Sequence, residues 1–321
     1  MSLAVAIQMD PIQAIDIYTD STFMLAMEAQ SRGHALYYYL PKELVFRDGK
    51  LFAKIRPIEI RREMGNHFSA GEKVMTDLST VDVVLMRQDP PFDMAYITAT
   101  HLLEHVHPKT LVVNDPLEVR NAPEKLLVTH FENLLPPTLI TSDQEEIYAF
   151  RDEHKDVIIK PLFGNGGADV FHITQGDENM SALIEMFAEK YREPIIVQRY
   201  LPEVRQGDKR IILVDGIPVG GVLRIPADGD ARANFHAGGS ALKTSLTSRE
   251  QEICEAIGPT LKERGLLFVG IDVIGNYLTE INVTSPTGIQ EINKLDGIKI
   301  EKLIWDTIEA RLAGSSHINI I

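Results

Sequence analysis

Val269-Gly270-Ile271-Asp272-Val273-Ile274-Gly275-Asn276-Tyr277-Leu278-Thr279-Glu280-Ile281-Asn282-Val283 reads as a β-hairpin with one acidic face. If Gly275-Asn276-Tyr277 is a three-residue turn, Ile274 stands opposite Leu278 and Asp272 opposite Glu280. Side chains alternate along strands, so Asn282 shares the face of the two carboxylates. Directly opposed residues place their Cβ atoms ~5 Å apart. Ile271, Val273, Ile281 and Val283 fall on the other face, toward a core. Two carboxylates this close repel unless a cation or proton intervenes. An all-oxygen set of Asp272, Glu280 and Asn282 suits Mg²⁺, with Mn²⁺ as an alternative. Such an ion takes few protein ligands and completes its octahedron with phosphates and water. A solvent-facing acidic hairpin would carry the same letters, so the surroundings decide.

Upstream, Ile158-Ile159-Lys160-Pro161 ends an apolar strand on a lysine, which is costly to bury unless it meets an anion. Gly164-Asn165-Gly166-Gly167 follows, a loop able to present N–H groups to phosphate oxygens. No Walker A sequence and no complete Gly-x-Gly-x-x-Gly occurs, which disfavours a P-loop and a dinucleotide site. Lys125, Lys160, Lys209, Arg210 and Arg224 recur beside the glycine segments, as phosphate ligands or as ordinary surface charge. Asp208 is a candidate acceptor for ribose hydroxyls. Residues 226–239, rich in small residues, read as a mobile lid or a long surface loop.

The 321 residues bound the chain to two or three domains, long enough to fold without disulfides or structural metal. A single cysteine, Cys254, excludes an intrachain disulfide and fits a reducing, cytoplasmic setting; it reads as a small buried hydrophobe. The net charge of −14 argues against non-specific nucleic-acid binding. No signal peptide or membrane-length apolar run is evident. Strand and helix signals alternate over residues 1–122, predicting an α/β domain with a parallel sheet. Strands are expected at Leu3–Met9, Ala35–Leu40, Val81–Arg87 and Thr110–Asn114, helices at Thr22–Arg32 and from Met94 to Val106, and a hairpin turn at Asp48-Gly49. Beyond Ala122 the mixture is α+β, divided at 123–200 and 201–314, with a tail at 315–321. Helices are expected at Pro123–Glu132, from a capping box of Ser142 with Glu145 to His154, and at Ile300–Leu312.

In order and spacing, these pieces resemble the prokaryotic glutathione synthetases of the ATP-grasp superfamily. The resemblance is carried by Met9-Asp10-Pro11, Arg87-Gln88-Asp89-Pro90-Pro91-Phe92-Asp93, Glu124-Lys125, Gly207-Asp208-Lys209-Arg210, Arg224-Ile225-Pro226 and Thr279-Glu280-Ile281-Asn282-Val283-Thr284-Ser285-Pro286-Thr287. It implies an ATP-grasp fold behind a Rossmann-like N-terminal domain. It implies a ligase that phosphorylates the carboxylate of γ-glutamylcysteine with ATP, then joins glycine to it. By the same resemblance Lys125, Lys160, Gly164, Gly166 and Gly167 hold the phosphates. Adenine lies near Gln198, Tyr200 and Leu201. Arg210 and Arg224, assisted by Asn234, stabilise the acyl phosphate and the oxyanion after it. A homo-oligomer, a tetramer, is also implied. Gln88 stands where the family commonly has lysine, and Gly288 where a larger residue is common; both touch the acceptor side.

Three rival readings accompany this one. His101-Leu102-Leu103-Glu104-His105 matches a zinc-peptidase pattern. A related ligase with another acceptor would carry the same ATP residues. So would a non-catalytic nucleotide-binding module, though it need not keep the whole set.

Overall fold

The computed structural model describes residues 2–164, 166–227 and 240–314. Asn234, most of the expected lid and the 315–321 tail lie outside the described residues.

The N-terminal sheet grows from strands β1 (Ala4–Gln8), β2 (Ala35–Tyr39), β3 (Leu44–Arg47), β4 (Lys50–Ile60), β5 (Phe68–Ala70), β6 (Val74–Asp77), β7 (Val83–Met86) and β8 (Leu111–Val113). Its path is β3-β4-β2-β1-β7-β8, with β5 and β6 on β4. The β2-β1-β7-β8 part is parallel, as the alternating signals predict. The sheet as a whole is mixed, because the eleven-residue β4 joins β2 antiparallel. That strand alternates buried and exposed residues, the pattern of a sheet with one covered face. Helix α1 (Ser21–Ser31) crosses from β1 to β2 and is capped by the Asp20 carboxylate, which accepts from Phe23 N. Helix α2 (Met94–Leu103) starts on the equivalent cap, Asp93.

No α-helix forms at 123–132: only a short 3₁₀ turn, Leu127–His130, appears there. Leu127, Val128 and Leu134 instead pack into the core shared with the first sheet. The chain enters the second sheet at Thr138. That sheet, β9 (Thr138–Thr141), β10 (Val157–Pro161), β11 (Phe171–Ile173) and β12 (Ile195–Arg199), runs β11-β10-β12-β9 and is antiparallel throughout. Its helix from Gln144 to His154 is capped by Asp143 rather than Ser142. With the helix Met180–Lys190 it encloses a core of its own around Val157, Ile159, Phe187 and Val197.

The third sheet, β13 (Asp208–Val214), β14 (Ile217–Ile225), β15 (Ser240–Lys243), β16 (Phe268–Ile274) and β17 (Tyr277–Asn282), runs β15-β14-β13-β16-β17 and is also antiparallel. It packs on the N-terminal domain, and their apolar side chains form joint cores. The buried Asn114 amide stitches the two, donating to Phe268 O and Val283 O and accepting from Phe268 N. The last helix spans Ile300–Leu312, as expected, with Trp305 fully buried. Cys254 is buried in the helix Ser248–Glu263, and burial pushes its thiol up to about 12, so it stays protonated and inert. Among the described residues no helix is long and apolar enough to cross a membrane.

Candidate active site

Asp272 pairs with Glu280, Ile271 with Ile281 and Gly270 with Asn282, as the hairpin reading expects. The turn differs: Ile274 pairs with Tyr277, so only Gly275 and Asn276 lie between the strands. An irregularity next to Asp272 absorbs the difference, leaving Thr279 as the extra residue. The Thr279 hydroxyl donates to Asp272 O at 3.0 Å, fixing that bulge. Gly270 has no side chain because Arg210 crosses there: a Cβ would stand 3.1 Å from Arg210 Nη1.

The hairpin forms the floor of a cavity of about 380 Å³ between the second and third sheets. Asp272, Glu280 and Asn282 line it with Lys125, Lys160, Gly164, Gly166, Gly167, Gln198, Tyr200, Leu201, Asp208, Arg210 and Arg224. Of the cations named from the sequence, Lys209 is the exception: it lies outside this cavity, its Nζ donating instead to Glu250 at 2.7 Å and to Ser245 O at 2.9 Å, so it serves the fold rather than a phosphate.

Its electrostatics are built from buried pairs. Lys125 Nζ and Lys160 Nζ lie 3.5 and 3.8 Å from Glu280 Oε1. Lys125 also donates to Glu124 and, at 2.6 Å, to Gly164 O, tying the glycine loop to the floor. Burial lowers the pKa of Lys160, with Glu280 opposing. Burial also works against Lys125, yet Glu280 and Glu124 carry its pKa above the usual value. Arg210 grips Asp272 through two bonds, Nε to Oδ1 at 2.5 Å and Nη2 to Oδ2 at 2.9 Å. Arg224 Nη2 reaches the same carboxylate at 2.9 Å and both oxygens of Asp208 at 2.6 and 2.7 Å. Burial alone would raise Asp272; the Arg210 and Arg224 guanidiniums overcome it and hold it well below the usual carboxylate range. Asn282 Nδ2 donates to Asp272 Oδ2 at 3.3 Å.

Asp208 differs from its expected ribose-accepting role, since both its oxygens are taken by Arg224. Burial raises its pKa from 3.8 to about 6, against the pull of Arg224. A carboxyl raised in the folded state contributes stability that is full below 3.8 and is lost as pH rises through about 6. Asp208→Asn is expected to flatten that decline. Melting temperature followed across the interval checks it, and an unchanged slope would place the titration elsewhere.

Gly166 and Gly167 adopt left-handed backbone angles, φ 64° and 78°, which L side chains rarely take. The Gln198 side chain is turned to Thr138 Oγ1 at 3.0 Å. Tyr200 stacks on His172 at 3.9 Å. Ile158, Val170, Val204 and Ile274 complete an apolar slot beside them. Sequence reading missed those four, because apolar strand residues look alike until the sheets face each other. It also missed Glu124, whose carboxyl is pushed up by burial against Lys125, with Glu280 adding to the rise. Its position next to Lys125 was the available signal.

The residues fit a hard divalent cation. Two carboxylates and an amide converge in a lysine- and arginine-rich pocket, an all-oxygen set needing phosphate to complete it. Among the described residues no three His, Cys, Asp or Glu side chains gather as a metal cage. The zinc-like motif does not assemble on one helix. Helix α2 stops at Leu103, the His105 ring packs on Phe46 at 4.4 Å, and Arg120 holds Glu104 at 2.7 Å.

Residues 3–120 match the family model of the prokaryotic glutathione synthetase N-terminal domain, and residues 124–297 that of its ATP-grasp domain. The chain is 59% identical to the glutathione synthetase of Mesorhizobium japonicum, over 97% of this chain and 99% of that one. It is 43% identical to that of Escherichia coli O157:H7, with the same coverage. The fold is shared with D-cycloserine synthetase DcsG at a TM-score of 0.68 and 14% identity, over 96% of this chain and 99% of that one. This chain belongs to the prokaryotic glutathione synthetase family of ATP-grasp ligases.

Proposed function

We propose that this enzyme joins γ-glutamylcysteine and glycine into glutathione, consuming ATP, with the residues above in the following roles. The observation that carries the reading is that two buried lysines and two buried arginines converge on the Asp272–Glu280 hairpin inside one cavity. Lys125 and Lys160 hold the ATP phosphates, and backbone N–H groups at Gly166 and Gly167 add to that cradle. Adenine lies in the slot of Gln198, Tyr200, Leu201 and their apolar neighbours. Asp272, Glu280 and Asn282 would hold Mg²⁺, which when bound neutralises charge on the transferring phosphoryl group.

The acceptor carboxylate attacks the γ-phosphorus, the bond to the bridging oxygen breaks, and ADP leaves. The product is an acyl phosphate, a better electrophile than the carboxylate. The amine of glycine then attacks the acyl carbon, loses a proton, and inorganic phosphate departs. Arg210 and Arg224 supply positive charge where the oxyanion develops. Both already sit on Asp272, so their forks are oriented before substrate arrives. Asn234 is assigned to the same step by resemblance alone. We read the enzyme as a cytoplasmic homo-oligomer, a tetramer, which light scattering tests.

The reaction is tested by measuring ADP and phosphate release with Mg-ATP, γ-glutamylcysteine and glycine, omitting each in turn and identifying the peptide by mass. Release that requires all three, with glutathione formed, is expected; ATP use without that product sinks the reading. Lys160→Ala is expected to raise the KM for ATP by roughly tenfold or more, the scale of losing a charged contact. Wild-type ATP kinetics in that variant would remove Lys160 from the site.

A further inference from the structure

The hairpin gives the cavity a direction. Its turn end carries Ile274 and lies against the apolar slot: a Cβ placed on Gly275 would stand 3.1 Å from Cγ of Glu203, the chain neighbour of the slot residue Val204. At the other end Gly270 pairs with Asn282, and a Cβ placed on Gly270 would stand 3.1 Å from Pro286 Cβ. With the nucleobase at the turn end and the phosphates over Asp272 and Glu280, the group that takes the phosphoryl approaches from the Asn282 end. Thr284, Ser285, Pro286 and Thr287 form the cavity wall there.

That wall is bent into a shape its residues do not favour by themselves. Ser285 has φ 43°, in the left-handed region that suits glycine, and is only 6% exposed. A residue with a side chain stays in that region only where its surroundings hold it. Here three successive residues are each held by a different partner. The Ser285 hydroxyl donates to Gln88 O at 2.7 Å. Pro286 O accepts from Arg87 Nη2 at 3.1 Å. Thr287 O accepts from Arg210 Nη1 at 3.4 Å. The first two partners are chain neighbours just past β7. Arg87 itself lies behind the wall, not in it. It is buried, its Nε donates to Thr22 Oγ1 at 3.0 Å in the first turn of α1, and its guanidinium lies 5.1 Å over the ring of Phe268 at the start of β16. The N-terminal helix and the third sheet thus fix the guanidinium that reaches the wall.

Resting on the acceptor reading above, we propose that Arg87 is a positioning residue for phosphoryl transfer to the acceptor. With the Gln88 carbonyl it clamps the Ser285–Pro286 turn in its left-handed form. The turn then shapes the end of the cavity by which the acceptor carboxylate enters, and places the Thr287 carbonyl that receives one N–H of the Arg210 fork. Arg87 touches no substrate. The ATP end of the cavity is held by other residues and is indifferent to the clamp.

Ser285→Gly and Arg87→Met test this together. Glycine adopts φ 43° without strain but gives up the hydroxyl tie, so the melting temperature should stay within about 3 °C of wild type. The kcat/KM for γ-glutamylcysteine is nevertheless expected to fall about tenfold, while the KM for ATP stays within about twofold. Arg87→Met is expected to lower kcat/KM for γ-glutamylcysteine by about tenfold or more, again with the KM for ATP unmoved. Arg87→Lys, whose ammonium can still donate to Pro286 O, should recover most of that loss. An unchanged kcat/KM for γ-glutamylcysteine in both Ser285→Gly and Arg87→Met overturns the proposal. So does a parallel rise in the KM for ATP, or a loss in Arg87→Met that follows a lowered melting temperature and that lysine does not restore; either would make the clamp a structural tie only. A wild-type enzyme that makes no glutathione overturns the reaction reading itself, and this inference with it.

Discussion

Asp272→Asn should be the most damaging single substitution in the site, because it strikes both chemistry and stability. The sequence alone suggests a metal ligand whose loss leaves the fold intact. The structure adds that this carboxylate is buried between Arg210 and Arg224. An amide of the same shape removes the charge that compensates two buried guanidiniums. Arg224 keeps Asp208, whereas among the described residues Arg210 keeps only its hydrogen bond to the Thr287 carbonyl. Removing one partner of a buried pair costs about 3–5 kcal/mol. The folded protein should survive with a clearly lowered melting temperature. Turnover should fall roughly 10²-fold or more, with the Mg²⁺ needed for half-activity raised at least about tenfold. Calorimetry and a Mg²⁺ titration of ADP release separate the two effects. An unchanged Mg²⁺ dependence would remove Asp272 from the metal set, whatever the melting temperature does.

Arg210→Lys keeps the charge and loses the fork. A lysine ammonium cannot hold both Asp272 oxygens at once as the guanidinium does. It also gives up the reach to Thr287 O. We expect kcat to fall about 10²–10³-fold, the scale of losing one donor to a developing oxyanion. The KM for ATP should change little, since Lys125 and Lys160 are untouched. Steady-state kinetics with each substrate varied gives both numbers. A kcat within about threefold of wild type would show that Arg210 only props up Asp272.

Elements whose signals are local were legible in the amino acids. Val157–Pro161 and Ile300–Leu312 form with the expected bounds, because a short apolar run and a sustained helical stripe need no distant partner. Of the two exceptions, one is local and the other is not. Asp143 outcompetes Ser142 as a cap by accepting from two successive N–H groups. The Pro123–Glu132 segment gives up its helix where Leu127 and Leu134 are drawn into a core made with distant strands.

The sequence by itself determined the inventory: a parallel α/β start, an acidic hairpin with Asp272 facing Glu280, a lysine closing a strand and a glycine loop after it. These follow from the period of two in strands, from charge, and from backbone permissiveness, all properties of neighbours in the chain. Only the tertiary structure decided what those groups do to one another. Arg210 meets Asp272 across 62 residues, Lys125 meets the glycine loop across 39, and Gln8 meets Gln88 across 80. Such contacts depend on which sheets pack face to face, and hydrogen-bond geometry and burial then set which carboxylate stays ionised.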